Sequence, residues 1–106
     1  LTVIQPDLAK WGGLSKTIPI AKNIIAAGKR YCPHYLGGGI GLVASAHALA
    51  AVGGDGILEV DINPNPLRTN LVGDMLTLVP GMASLGSLPG LGYEPDLATL
   101  RKYQVL

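Results

Sequence analysis

Short apolar runs alternate with longer stretches of helical spacing over the first two thirds of the chain, and Gly and Pro mark nearly every boundary. Leu1 to Gln5, closed by Pro6, has the β-branched and apolar character of a buried strand. Lys10 to Gly13 forms a turn in which Gly12 and Gly13 supply torsions that a side chain resists. A helix follows, with Ser15 or Thr17 as its N-cap. Pro19 favours Thr17, because a proline deeper in a helix removes a ladder hydrogen bond. Ile18, Ala21, Ile24 and Ile25 make one apolar stripe, and Gly28 ends the helix as its C′ residue. Arg30 to His34 is a second strand. After the loop Gly37-Gly38-Gly39, Ile40 to Val52 has the Ala and Leu content of a buried helix, stopped by Gly53-Gly54. Gly56 to Ile62 is a third strand, ended by Asn63-Pro64-Asn65-Pro66. Strand, helix, strand, helix, strand with short connections predicts a parallel sheet with right-handed crossovers and helices on its outer face. From Leu67 the pattern changes. Leu71 to Leu91 reads as an extended segment packed on something else, and Asp96 caps a final short helix, Leu97 to Gln104.

Composition narrows what such a chain does. Of its 106 residues 48% are hydrophobic and only 14% charged, against roughly 25% charged in a typical soluble domain. That excludes a disordered tail and suggests a chain with less outward-facing surface than a free domain needs. The net charge of +1 comes from scattered Lys and Arg, so a nucleic-acid partner is not expected. One cysteine, Cys32, excludes an internal disulfide framework. No run approaches a membrane span and no signal peptide is visible, so the chain is expected to be cytoplasmic, without a membrane partner. Its abrupt start at Leu1, within an apolar run, suggests a piece of a longer polypeptide.

Side chains two apart on a strand share a face. Val3, Gln5 and Asp7 therefore align, as do Cys32 with His34, and Ile57 with Glu59 and Asp61. Asp7 and His34 stand at the carboxyl ends of their strands and Glu59 lies on the way to the same end, where parallel α/β folds gather their chemistry. Strands lie about 4.8 Å apart, so Asp7 and His34 are within hydrogen-bonding reach if adjacent. A carboxylate on one imidazole nitrogen fixes the tautomer and leaves the other nitrogen as a general base. A further carboxylic acid, kept protonated, can hydrogen-bond an anion developing on a substrate. A plainer alternative stays open, in which Asp7 caps a loop and His34 merely follows a proline.

The wording of the motifs adds to this. Gln5-Pro6-Asp7-Leu8-Ala9-Lys10-Trp11-Gly12-Gly13-Leu14-Ser15 resembles the sixth-strand segment of the mandelate racemase-like branch of the enolase superfamily, the mandelate racemase/muconate lactonizing enzyme family. Pro33-His34, with Ala44-Ser45-Ala46-His47-Ala48-Leu49-Ala50-Ala51, is similar to its seventh strand and helix. Gly56-Ile57-Leu58-Glu59 resembles the eighth strand, and Pro89-Gly90-Leu91-Gly92 its closing turn. The resemblance implies the last three strands of a (β/α)7β TIM-like barrel, carried by residues 1–66. Residues 67–106 would pack on the barrel and return to an α+β capping domain outside this sequence. It implies that Asp7 orients His34 as acid or base, while Glu59 hydrogen-bonds an enediolate. It also implies a Mg2+ cofactor held by residues of earlier strands, none of them here, and a homo-oligomer. The Gly-rich loop from Leu36 to Val43 departs from mandelate racemase itself and bears on the substrate.

The resulting expectation is an enzyme that removes the proton α to a carboxylate, with acid-sugar dehydration first and racemisation or epimerisation of a 2-hydroxy acid second. Its partners are a small carboxylate or acid-sugar substrate and the rest of the same polypeptide, and the segment alone is expected to be inactive. Lys10 and Trp11 are candidate substrate contacts, Lys10 with a plainer reading as a solvated loop lysine and Trp11 as packing under the rim. The Gly37–Gly41 stretch before a helix raises a competing class, a non-catalytic or nucleotide-binding module, although it lacks the G-x-G-x-x-G context and a flexible active-site loop suits it better. Cys32 and His47 read as core and helix residues, Asp61 as a support for the loop from Asn63 to Pro66, and Arg68 as a surface residue.

Overall fold

The structure, a computed structural model, describes residues 1–72 and 78–105. The order is β1 (Val3–Ile4), α1 (Gly13–Ala26), β2 (Arg30–Tyr31), α2 (Gly39–Val52), α3 (Pro66–Val72), β3 (Leu78–Val79), β4 (Met82–Ala83) and α4 (Leu97–Lys102). β1 and β2 pair in parallel, Val3 opposite Arg30 and Ile4 opposite Tyr31, as the alternating pattern predicts. Hydrogen bonds extend the pairing beyond the formal strands. Arg30, Cys32 and His34 donate their N–H groups to the carbonyls of Thr2, Ile4 and Pro6 at 2.9, 3.1 and 3.3 Å.

The expected third strand, Gly56–Ile62, forms no regular ladder. The cause lies in β2 and its continuation. Since alternate residues 30, 32 and 34 turn their amides toward β1, the backbone groups of Tyr31 and Pro33 face the other neighbour. Pro33 has no N–H to donate there. Gly56 lies so close to the Tyr31 carbonyl that a Cβ would overlap it. Residues 55–59 nevertheless run alongside β2 in a constant register. Arg30–Asp55, Cys32–Ile57 and His34–Glu59 are each hydrogen-bonded, and each pair is 25 residues apart.

Helix α1 begins four residues before the expected cap. Gly12, at φ 92°, is the N-cap and makes no side-chain cap bond. The Gly13 amide reaches back to the Leu8 carbonyl at 2.8 Å. Thr17 is fully buried, so its side chain serves packing, and Pro19 lies inside the helix. The carbonyl that Pro19 leaves without a donor belongs to exposed Ser15, where water can serve it. The other end follows expectation. Gly28, at φ 68°, donates to Ile25 and Lys29 donates to Ile24, a Schellman closure. Ala21, Ile24 and Tyr31 form the core cluster, with Ile4, Ile25, Leu49 and Val52 packed on it. Helix α2 lies between α1 and α3, which explains why it is apolar nearly all round.

Beyond residue 66 the expected extended segment is corrected in part. Pro66–Val72 is helical, with the Asn65 side chain accepting the Leu67 amide at 3.0 Å and Pro66 as its first residue. β3 and β4 make a small antiparallel hairpin across Pro80-Gly81, where Gly81 has φ 74°. The part of that segment at 73–77 lies outside the described residues. Asp96 caps α4 through the Ala98 amide at 2.9 Å, as expected, although the helix ends at Lys102. No described helix is long and apolar enough to cross a membrane.

Candidate functional site

The carboxyl end of β2 and the parallel segment beside it bring two of the expected groups together. His34 Nδ1 lies 2.6 Å from Glu59 Oε2, and the Tyr35 amide donates to the same oxygen at 3.1 Å. Two donors on one oxygen suit an ionised Glu59 that accepts from an Nδ1–H. That tautomer leaves the lone pair on Nε2, which no hydrogen bond engages among the described residues. The two side chains are 35% and 34% exposed, so the pair is braced yet open to a small molecule.

Asp7 does not supply this brace. Its carboxylate is buried and turned into its own loop, accepting the Ala9 amide at 2.8 Å on Oδ1 and facing Lys10 Nζ at 3.3 Å from Oδ2. Its carbonyl takes the Lys10 and Trp11 amides as well. An aspartate followed by a free amide two residues on closes this local bond readily, whereas the longer Glu59 reaches across the register. Among the described residues Asp7 makes no hydrogen bond to His34, whose Nδ1 meets Glu59. Asp7 still borders the pair, since the His34 amide bonds Pro6. Lys10 is exposed at the same loop, and Trp11 is 64% exposed instead of packed under the rim.

A cavity of about 300 Å³ lies along the tied face, lined by Val3, Gln5, Arg30, Cys32, Ile57, Leu58 and Glu59. A larger one, about 460 Å³, opens at the amino-terminal end beside Arg30 and Asp55. The larger cavity holds the Arg30–Asp55 ion pair, whereas Glu59, the partner of His34, lines the smaller one, which is therefore the candidate site.

The glycine loop is not a phosphate cradle. The Tyr35 ring covers Gly37 and Gly41, where a Cβ would strike it, and Gly38 and Gly39 abut Leu67, Arg68 and Val72 of α3. These glycines allow Tyr35 and α3 to pack closely against the loop, while Leu36 and Ile40 stay exposed. Asp61 does support the following loop, accepting the Asn63 amide and side chain at 2.9 and 2.7 Å. Those bonds, the Asn63 amide foremost, and the Arg68 charge hold its carboxyl below the ordinary range. Arg68 is 11% exposed and donates to the Asn63 carbonyl at 2.6 Å, so it is a structural residue and not a surface one. His47, read as a plain helix residue, ties α2 to the turn at Leu91 through its Nε2, 3.1 Å from the carbonyl. The motif reading missed Arg30–Asp55 and the Tyr35 amide, because neither belongs to a local signature. Among the described residues no three His, Cys, Asp or Glu side chains gather, so they offer a Mg2+ ion no donor set.

Residues 1–99 match the family described as enolase C-terminal domain-like. The chain belongs to that family. It is 31% identical over 111 residues to D-galactarolactone cycloisomerase of Agrobacterium fabrum, covering 97% of this chain and 29% of the relative. Against arabinonate dehydratase of Saccharolobus solfataricus it is 31% identical over 102 residues, covering 96% of the chain and 27% of that protein. The crystal structure of a mandelate racemase/muconate lactonizing enzyme from Bordetella bronchiseptica RB50 superposes with a TM-score of 0.89 at 60% identity. That match covers 96% of this chain and 29% of the other. The mandelate racemase-like resemblance and the α/β fold are thus shown, and these relatives are enzymes. The enolase C-terminal domain-like chain spans less than a third of the length of each.

Proposed function

We propose that this chain completes the catalytic barrel of an enzyme that removes the proton α to a carboxylate, and that acid-sugar dehydration is its reaction. The observation that carries this reading is the His34 Nδ1–Glu59 contact of 2.6 Å at the carboxyl end of β2. In this reading residues 1–66 are the last three units of a (β/α)7β barrel, and residues 67–106 pack on that barrel and on a capping domain encoded elsewhere in the polypeptide. Nε2 of His34 takes the α proton, and the bonding electrons pass into the carboxylate as an enediolate. The electrons return to expel the β-hydroxyl, which leaves as water with the proton that His34 gives back. Glu59 holds Nδ1 through both transfers. Asp7 is the neighbouring carboxylate that keeps Lys10 at the rim, where its ammonium meets an anionic substrate, and Trp11 offers a face to the sugar carbons. A Mg2+ ion would stabilise the carboxylate charge, with ligands from outside this chain; among the described residues no donor set for it gathers.

A second reading, racemisation or epimerisation of a 2-hydroxy acid, draws support from the 60% identity to a mandelate racemase/muconate lactonizing enzyme. It needs a second base on the opposite face of the substrate. The full-length polypeptide, supplied with a panel of acid sugars in deuterated water, separates the two. Dehydration gives a 2-keto-3-deoxy product, whereas isomerisation returns the substrate with deuterium at the α carbon and inverted stereochemistry. Neither product nor exchange with any member of the panel overturns the reading.

A further inference from the structure

We infer that Leu36 is a specificity-determining residue, one that favours an acid sugar ending in a methyl group over its counterpart ending in a hydroxymethyl group. The inference rests on the reading of His34 as the acid/base. The chain runs from Cys32 to Leu36 without a turn or bend, the first bend falling at Gly37, so successive side chains alternate between two faces. Tyr31 is buried with Ala21 and Ile24 of α1, and the Tyr35 ring packs on Gly37 and Gly41 at the start of α2. These two therefore mark the face turned to the helices. Cys32 lines the candidate cavity on the opposite face, His34 follows it there, and Leu36 comes next, about 7 Å beyond His34 along the backbone. The loop that carries Leu36 is held from behind. Gly38 and Gly39 abut Leu67, Arg68 and Val72 of α3, and Asn65 Nδ2 donates to the Gly37 carbonyl at 3.3 Å. With Tyr35 and α3 packed on this loop, Leu36 nevertheless stays 52% exposed. An apolar side chain kept open beside the imidazole is a wall for whatever binds there. A six-carbon acid with its α carbon at Nε2 and its chain running outward lays its far carbons along Leu36. A terminal methyl gains by leaving water against that wall, whereas a terminal hydroxyl gives up water and finds no partner on a leucine.

The test uses the full-length polypeptide and two six-carbon acid sugars of one configuration, the one that gives the fastest α-proton exchange, with C6 as a methyl in one and a hydroxymethyl in the other. Wild type should prefer the 6-deoxy acid by about ten- to a hundredfold in kcat/KM, the range that a small apolar contact commands. Leu36→Asn should erase or reverse that ratio, chiefly through the KM of the 6-deoxy acid. Leu36→Met, of similar volume and equally apolar, should keep it. Should Leu36→Asn not fold, Leu36→Ala removes the same wall and should narrow the ratio. A leucine that serves packing alone gives a different result, in which both acids lose equally and the ratio stays at its wild-type value. That result, or a wild type indifferent to C6, overturns the inference while leaving His34 in its role. Exchange that survives His34→Asn, or no exchange with either acid, overturns the reading of His34 and the inference with it, so the two failures are distinguishable.

Discussion

The two ends of β2 are built alike and do different things. At the amino-terminal end Arg30 grips Asp55, with Nε and Nη2 on one oxygen at 3.0 and 2.7 Å. At the carboxyl end His34 grips Glu59 at 2.6 Å, with the same sequence separation of 25. Both join a basic side chain to a carboxylate across the same register. The Arg30 guanidinium never gives up its proton, and Asp55 raises its value further. Its pair, 43% and 71% exposed, can only tie the segments. His34 carries an imidazole, a side chain that can serve as acid or base, and a second donor, the Tyr35 amide, steadies its carboxylate. Architecture alone therefore does not make a site; a group that can change its charge makes one.

Substitution of His34 is the strongest way to test that contrast. In the full-length polypeptide His34→Asn should lower α-proton exchange about 10²–10⁴-fold, the usual share of a general base, while substrate still binds in a titration. Turnover close to wild type would reduce the two ends to equal structural ties. Next in size is the choice of carboxylate. Glu59→Gln should cost about 10–100-fold by loosening Nδ1, and Asp7→Asn should cost less, because its oxygens are committed to Ala9 and Lys10. If the measured rates fall in the reverse order, Asp7 is the group that orients His34.

Gly56 lies between the two ends, so a change there should disturb both. A methyl at Gly56 meets the Tyr31 carbonyl, and Gly56→Ala should lower unfolding stability by about 1–3 kcal/mol, read as a shifted denaturant midpoint. An unchanged midpoint would mean that the segment is free to move off β2. The smallest effect belongs to Arg30→Gln, which should change exchange rates least of these variants and weaken the fold slightly, less so in high salt. Its signature is in the pH dependence. Arg30 holds the Asp55 carboxyl below its ordinary value, first by the hydrogen bond and then by its charge. A depressed carboxyl stabilises the fold above its unfolded value of about 3.9 and loses that contribution as pH falls through the folded value. Wild type should thus exceed Arg30→Gln in stability at neutral pH and converge with it in acid. A difference that persists unchanged in acid would rule out this ion pair as its source.

Much of the scaffold was legible because its causes are local. Gly28 and Gly53 stop their helices at positive φ, and Asp96 caps the last one, each through bonds within a few residues. The Asn65-Pro66 start of α3 is equally local, since an Asn before Pro caps a helix as readily as it ends a strand. The starting point of α1 was not legible, because burial of Thr17 overrode its value as a cap. Nor was the disposition of the glycine loop, since its meaning depends on Tyr35 and α3 packing over it.

The candidate site divides in the same way. Residue type and two-residue spacing by themselves placed Asp7, His34 and Glu59 at or toward one end of parallel segments, because side-chain alternation is a property of the extended backbone. Which carboxylate meets His34 depends on how the segments lie side by side. A free amide at Ala9 draws Asp7 into its own loop, and the register of residues 55–59 against β2 delivers Glu59 to Nδ1. That register is set where Gly56 meets Tyr31 and Cys32 meets Ile57. Those contacts join residues 25 apart, and only the folded chain brings such groups within hydrogen-bond distance.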